Sequence, residues 1–141
     1  MLHEILGVRQ DSPGLRRRWY QDDFFDLYTW HAQDGALVCF QLCYDLRGRE
    51  RAITWHRQHG FSHNRIDHVH VSGRVSGTPL LAGDGRFPHR LVRARFRAAC
   101  ATLDAATRTF IFDKMREFGR HAARGEIMMP RRPMRPPTAP D

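Results

Sequence analysis

The chain has a single lysine, Lys114, among its 141 residues, so its positive charge is carried almost wholly by arginine. Cysteine is scarce as well. Cys39, Cys43 and Cys100 are odd in number and lack framework spacing, which points to reduced thiols in a reducing compartment. Four residues apart in an extended segment, Cys39 and Cys43 stand ~13 Å from each other and can neither form a disulfide nor share a metal ion. No apolar run approaches the ~18–20 residues of a membrane-spanning helix. The opening Met1-Leu2-His3-Glu4-Ile5-Leu6-Gly7 is too short and too charged for a signal peptide. A cytoplasmic protein with no membrane partner is therefore expected.

Catalytic signatures are also missing. There is no GxSxG elbow, GxxxxGK[ST] phosphate loop or GxGxxG fingerprint. Ser62-His63 and Ser72 near His70 have no third group to complete a nucleophile–base pair. The carboxylates are scattered, apart from Asp22-Asp23-Phe24-Phe25-Asp26. That segment has the DDxxD form of magnesium–diphosphate enzymes, but it leads into a strand of a short chain rather than lying on a helix of a large one. The balance leans away from an enzyme.

What is present suffices for one domain. The apolar fraction of 41% supports a single core. The expected body covers residues 1–120. A flexible basic tail covers 121–141, and from about Arg124 it is rich in proline and arginine with little to bury. Asp34-Gly35 is a two-residue hairpin turn of type I′. Pairing Gln33 with Ala36 across it sets Trp30 opposite Cys39, Tyr28 opposite Gln41 and Asp26 opposite Cys43. One face then carries Phe25, Leu27, Val38, Phe40, Leu42 and Tyr44, and it is the expected core. A second turn at Leu46-Arg47-Gly48-Arg49 pairs Asp45 with Glu50 and brings Ile53 beside Leu42 and Trp55 beside Phe40. A fourth strand is expected over Asp67 to Ser72.

Helices follow the strands. Pro88 begins one, with Val92, Phe96, Ala99, Cys100 and Leu103 on its apolar face. Asp104 caps a second, with Ile111, Met115 and Phe118 on one stripe and Gly119 as its stop. The expected fold class is α+β: an antiparallel meander of three to four strands, then two helices packed on one face.

Three groups of residues carry candidate functions. Arg86, Arg90, Arg93 and Arg97 fall within a ~60° arc of the first helix. With a net charge of +8, this stripe suits an acidic protein surface or a nucleic acid. On the second face of the meander, Asp26, Tyr28, Trp30, Gln41 and His56 form a mixed aromatic and polar surface. It is read as a ligand face, a second side of the core, or the interface of a homodimer. Histidine is dense between His56 and His70. On a strand, His68 and His70 share one face ~6–7 Å apart and, with His63, supply the imidazoles for zinc or another divalent transition metal. The preferred reading is a non-catalytic binding or regulatory module for an acidic partner, with no cofactor. The alternative is a transition-metal-binding protein, an enzyme among its forms, that uses the histidine cluster of residues 56–70.

Overall fold

A computed structural model describes residues 1–10, 12–67, 70–71, 74–75, 80–83 and 87–123. The tail from 124 onward lies outside them. The elements run β1 (His3–Ile5), β2 (Arg16–Gln21), β3 (Phe25–His31), β4 (Leu37–Tyr44), β5 (Arg51–His56), β6 (Gly60–Asp67), β7 (His70–Val71), β8 (Arg74–Val75), β9 (Leu80–Gly83), α1 (His89–Ala99), a 3-10 turn (Cys100–Thr102) and α2 (Ala105–Ala123). The class is α+β.

The sheet is larger than the three or four strands expected. Its order is β1-β2-β3-β4-β5-β6-β9, every pairing is antiparallel, and β7 and β8 form a separate two-stranded ribbon. The two N-terminal strands escape pattern reading because β2 begins Arg16-Arg17-Arg18, which has no apolar alternation. The fourth strand of the meander is β6, Gly60–Asp67, and not the stretch from Asp67 to Ser72. Its residues Ser62, His63 and Asn64 are polar yet buried, which hides it from a hydrophobicity pattern.

The central registers follow the turns. Trp30 faces Cys39, Tyr28 faces Gln41, Asp26 faces Cys43, Leu42 faces Ile53 and Phe40 faces Trp55. The first turn is not type I′, however. Gly35 (φ 89°) has a positive φ and Asp34 does not. The loop is three residues closed by the Gly35 N–H to Ala32 C=O bond of 2.9 Å and by Ala32 N–H to Ala36 C=O at 2.9 Å. That loop shifts the pairing by one residue, so His31 faces Leu37; an irregularity between Trp30 and His31 shifts it back. The second turn holds Asp45 at φ 58°, which aspartate tolerates. A Cβ on Gly48 would lie 2.6 Å from the Asp45 carboxylate.

One face of the sheet and the apolar sides of both helices make the main core. Leu27, Phe40, Leu42, Ile53, Val92, Phe96, Ile111 and Met115 are all fully enclosed there. Edge-to-face rings join the layers, Phe25 with Phe96 at 6.0 Å and Trp55 with Phe110 at 4.9 Å. Leu2 ties the N-terminus in through its N–H to the Ala99 carbonyl at 2.9 Å. Gly119 does not stop α2, which runs on to Ala123. It is buried under the His89 ring, 2.7 Å from where a Cβ would stand. Among the described residues no helix is long and apolar enough to cross a membrane.

Candidate functional site: an arginine face on the helix pair

The sequence of α1 separates its charge from its apolar side. Val92, Phe96 and Ala99 are buried, while Arg90 and Arg97 are exposed and Arg93 is half-buried. Arg86 lies outside the described residues. Phe87 and Pro88 precede the helix without belonging to it. Three of the four expected arginines therefore share the face.

The second helix completes this surface, a contribution missed in the sequence. The guanidiniums of Arg93 and Arg97 each stand 4.9 Å from the centre of the Phe112 ring of α2. Arg116 of the same helix bears on Arg93. Burial first, then Arg116, Arg97 and Arg90, hold the Arg93 guanidinium below the usual arginine pKa. Its Nε is enclosed without a hydrogen-bond acceptor. Arg108, Phe112 and Arg116 are spaced four apart, and that period was the available signal.

Local charge does not favour this arrangement. Cations three and four apart repel by roughly 0.2–0.5 kcal/mol per pair. Arg90 sits in the first turn of α1, where the helix dipole disfavours a cation and no acidic residue balances it, whereas Arg97 sits in the last turn, where the dipole favours one. By contrast, Arg18 is held by both oxygens of Glu4 (2.8 and 2.9 Å), and Lys114 meets Glu117 at 3.1 Å. Among the described residues, no carboxylate forms an ion pair with Arg90, Arg93, Arg97, Arg108 or Arg116.

The second face of the sheet brings Asp26, Tyr28, Trp30, Gln41 and His56 together as the registers require. β2 adds Trp19 and Arg17, and β6 adds Ser62 and Asn64. The face is enclosed: Tyr28, Trp30, Cys39, Cys43, Ala52 and Ile66 form a second apolar cluster. Gln41 Oε1, Thr54 Oγ1 and Asn64 Nδ2 are sealed in without partners. Asp26 accepts from the Trp19 indole at 2.9 Å and the Gln21 amide at 2.8 Å. Burial nonetheless raises its pKa above the ordinary carboxylate value.

The three carboxylates of the DDxxD segment have separate sets of partners and do not converge. Asp22 accepts from the Phe24 and Phe25 N–H groups (2.8 and 2.7 Å), Asp26 is engaged as above, and exposed Asp23 meets Arg47 at 3.4 Å.

The three expected metal ligands are not all visible. His68 lies outside the described residues, and for His70 only the backbone of β7 is described. His63 faces the main core, stacked on Tyr44 and packed against Phe87 and Phe118. The Tyr44 hydroxyl and His63 Nε2 are 2.6 Å apart. His56 lies on the opposite face, its ring stacked on that of His59 at 4.5 Å. Among the described residues no three histidine, cysteine or carboxylate groups are close enough to hold a metal ion. Comparison with known protein families, characterised proteins and solved structures finds no match for the chain.

Proposed function

We propose that the chain is a non-catalytic binding module whose helix-pair face, Arg90, Arg93 and Arg97 with Arg108 and Arg116, engages an acidic protein segment. The observation that carries this reading is a cluster of guanidiniums on one face with, among the described residues, no carboxylate paired to it. The Phe112 ring accounts for the placing of Arg93 and Arg97, but nothing in the helix pair offsets the repulsion among all five. An incoming row of carboxylates would relieve the repulsion and accept bidentate bonds from each fork.

A protein partner is favoured over nucleic acid by two features. Leu91 is 56% exposed, and Ala94 and Ala98 follow it along the same side of α1, an apolar strip beside the arginines. The aromatic ring on the face, Phe112, is already flanked by guanidiniums, which leaves it a poor platform for base stacking.

Fluorescence anisotropy with a labelled glutamate-rich peptide, a single-stranded RNA and a DNA duplex tests the proposal. The expected outcome is saturable peptide binding that weakens at least tenfold when Arg90, Arg93 and Arg97 are all changed to Gln. Tighter binding of either nucleic acid, lost in the same variant, would replace the protein partner. Binding of all three probes that ignores the substitutions would remove the face from the account.

A further inference from the structure

Where α1 gives way to α2, the helices part to leave an open cleft of about 230 Å³. It is lined by Arg97, Cys100, Arg108, Thr109, Phe112 and Asp113. The geometry follows from the chain: the 3-10 turn swings α2 back across α1, setting Arg97 from the last turn of one helix near Arg108 from the start of the other.

Several observations converge on the cleft. Cys100 is buried, and its thiol donates to the Arg97 carbonyl at 3.6 Å, so the sulfur is occupied. Burial pushes that thiol's pKa up, while the charges of Arg108 and Arg97, which both line the cleft, pull it down. Phe112 supplies an apolar wall, with Arg93 over the same ring.

The donors outnumber what a carboxylate can use. Each guanidinium carries five N–H groups and Thr109 adds a hydroxyl, whereas a carboxylate offers about four lone-pair positions on two oxygens. A phosphate monoester offers three oxygens and a charge of about −1.5 to −2. Charge agrees: Arg97 and Arg108 outweigh Asp113 in the lining, and the Arg93 guanidinium adds a positive charge over the Phe112 ring. At ~30 Å³ per water-sized group, the space takes a phosphate and the first atoms of its carrier.

We infer that this cleft is a phosphate subsite, with Arg97 and Arg108 as the clamp and Thr109 as a third donor, and that it receives a phosphorylated side chain of the acidic partner. This rests on the module reading above. Asp113 limits the cleft to one anionic group by repelling a second.

Full-length, isotopically labelled protein titrated with inorganic phosphate at constant ionic strength tests the subsite. The expected result is saturating shifts at Arg97, Thr109 and Phe112. Arg108→Gln weakens them about tenfold, the loss of one charge-assisted clamp at ~1.4 kcal/mol. Asp113→Asn strengthens binding several-fold, an effect that a damaged fold would not produce. A glutamate-rich peptide bearing one phosphoserine is then expected to bind at least fivefold more tightly than its serine form, with the difference lost in Arg108→Gln. Shifts that fail to saturate, or that spread equally to Arg47 and Arg49, mean an adventitious ion only and overturn the subsite. Equal affinity for the two peptides also overturns it, yet leaves the module standing if the substitutions on α1 abolish binding. Saturation by phosphate with no binding of either peptide overturns the module and the partner together. Tighter occupation of the cleft by single-stranded RNA overturns its assignment to a phosphorylated protein.

Discussion

At the scale of single residues, environment decides what each titratable group does. Asp26 accepts from Trp19 and Gln21, and burial raises its pKa. A carboxylic acid raised in the folded state contributes stability below the unfolded pKa and loses it as pH rises through the folded one. Asp26→Asn keeps an acceptor for both donors and removes the buried charge. It is therefore expected to raise the melting temperature at pH 7 relative to the parent, with the gain disappearing near pH 3. A lower melting temperature at pH 7 would mean that the charge is needed there. Burial likewise pushes the Cys39 thiol up to about 12 and the Cys43 thiol higher still. Neither is expected to react with a thiol reagent faster than the chain unfolds. Rapid modification in native buffer would contradict the enclosed second face. The reading of both cysteines as packing residues needed only their alternation along a strand. The burial of Gln41, Ser62 and Asn64 was not legible, because nothing local to a polar side chain says that the sheet beside it is covered.

At the scale of elements, the turns were the most legible feature and the helix ends less so. Aspartate and glycine set the central registers, even though the first loop takes three residues and a compensating irregularity restores the pairing. Asp104 accepts the Thr107 N–H at 3.0 Å and caps α2 as the sequence suggests. That bond, the largest cause, holds the Asp104 carboxylate below the usual range. A depressed carboxylate contributes stability above the unfolded pKa and loses it as pH falls through the folded one. Asp104→Ala is thus expected to cost ~1 kcal/mol at pH 7 and little at pH 2. Thermal unfolding at the two pH values checks it. Gly119 shows where local rules fail. Glycine suggested a helix end, but tertiary contact with His89 explains its place. Gly119→Ala should gain ~1 kcal/mol of helix propensity yet lose ~1–3 kcal/mol through overpacking, for a net loss. Denaturant unfolding that shows a gain would sink this account of the helix contact.

At the scale of the whole molecule, charge distribution carries the functional reading. The stripe on α1 was visible from spacing alone. Its extension onto α2 was not, since Arg108, Phe112 and Arg116 meet it only once the 3-10 turn has folded one helix against the other. Net charge by itself would attract any acidic partner weakly, and with strong dependence on salt. The central claim is narrower: the helix-pair face, and not the sum of charges, binds. The most direct measurement compares two triple variants of equal net charge against the same glutamate-rich peptide. One changes Arg90, Arg93 and Arg97 to Gln. The other changes the loop residues Arg47, Arg49 and Arg57, all exposed, to Gln. Affinity lost at least tenfold in the first and within about twofold of the parent in the second is the result this account expects. Equal losses in both would show that only overall charge matters, and would contradict it.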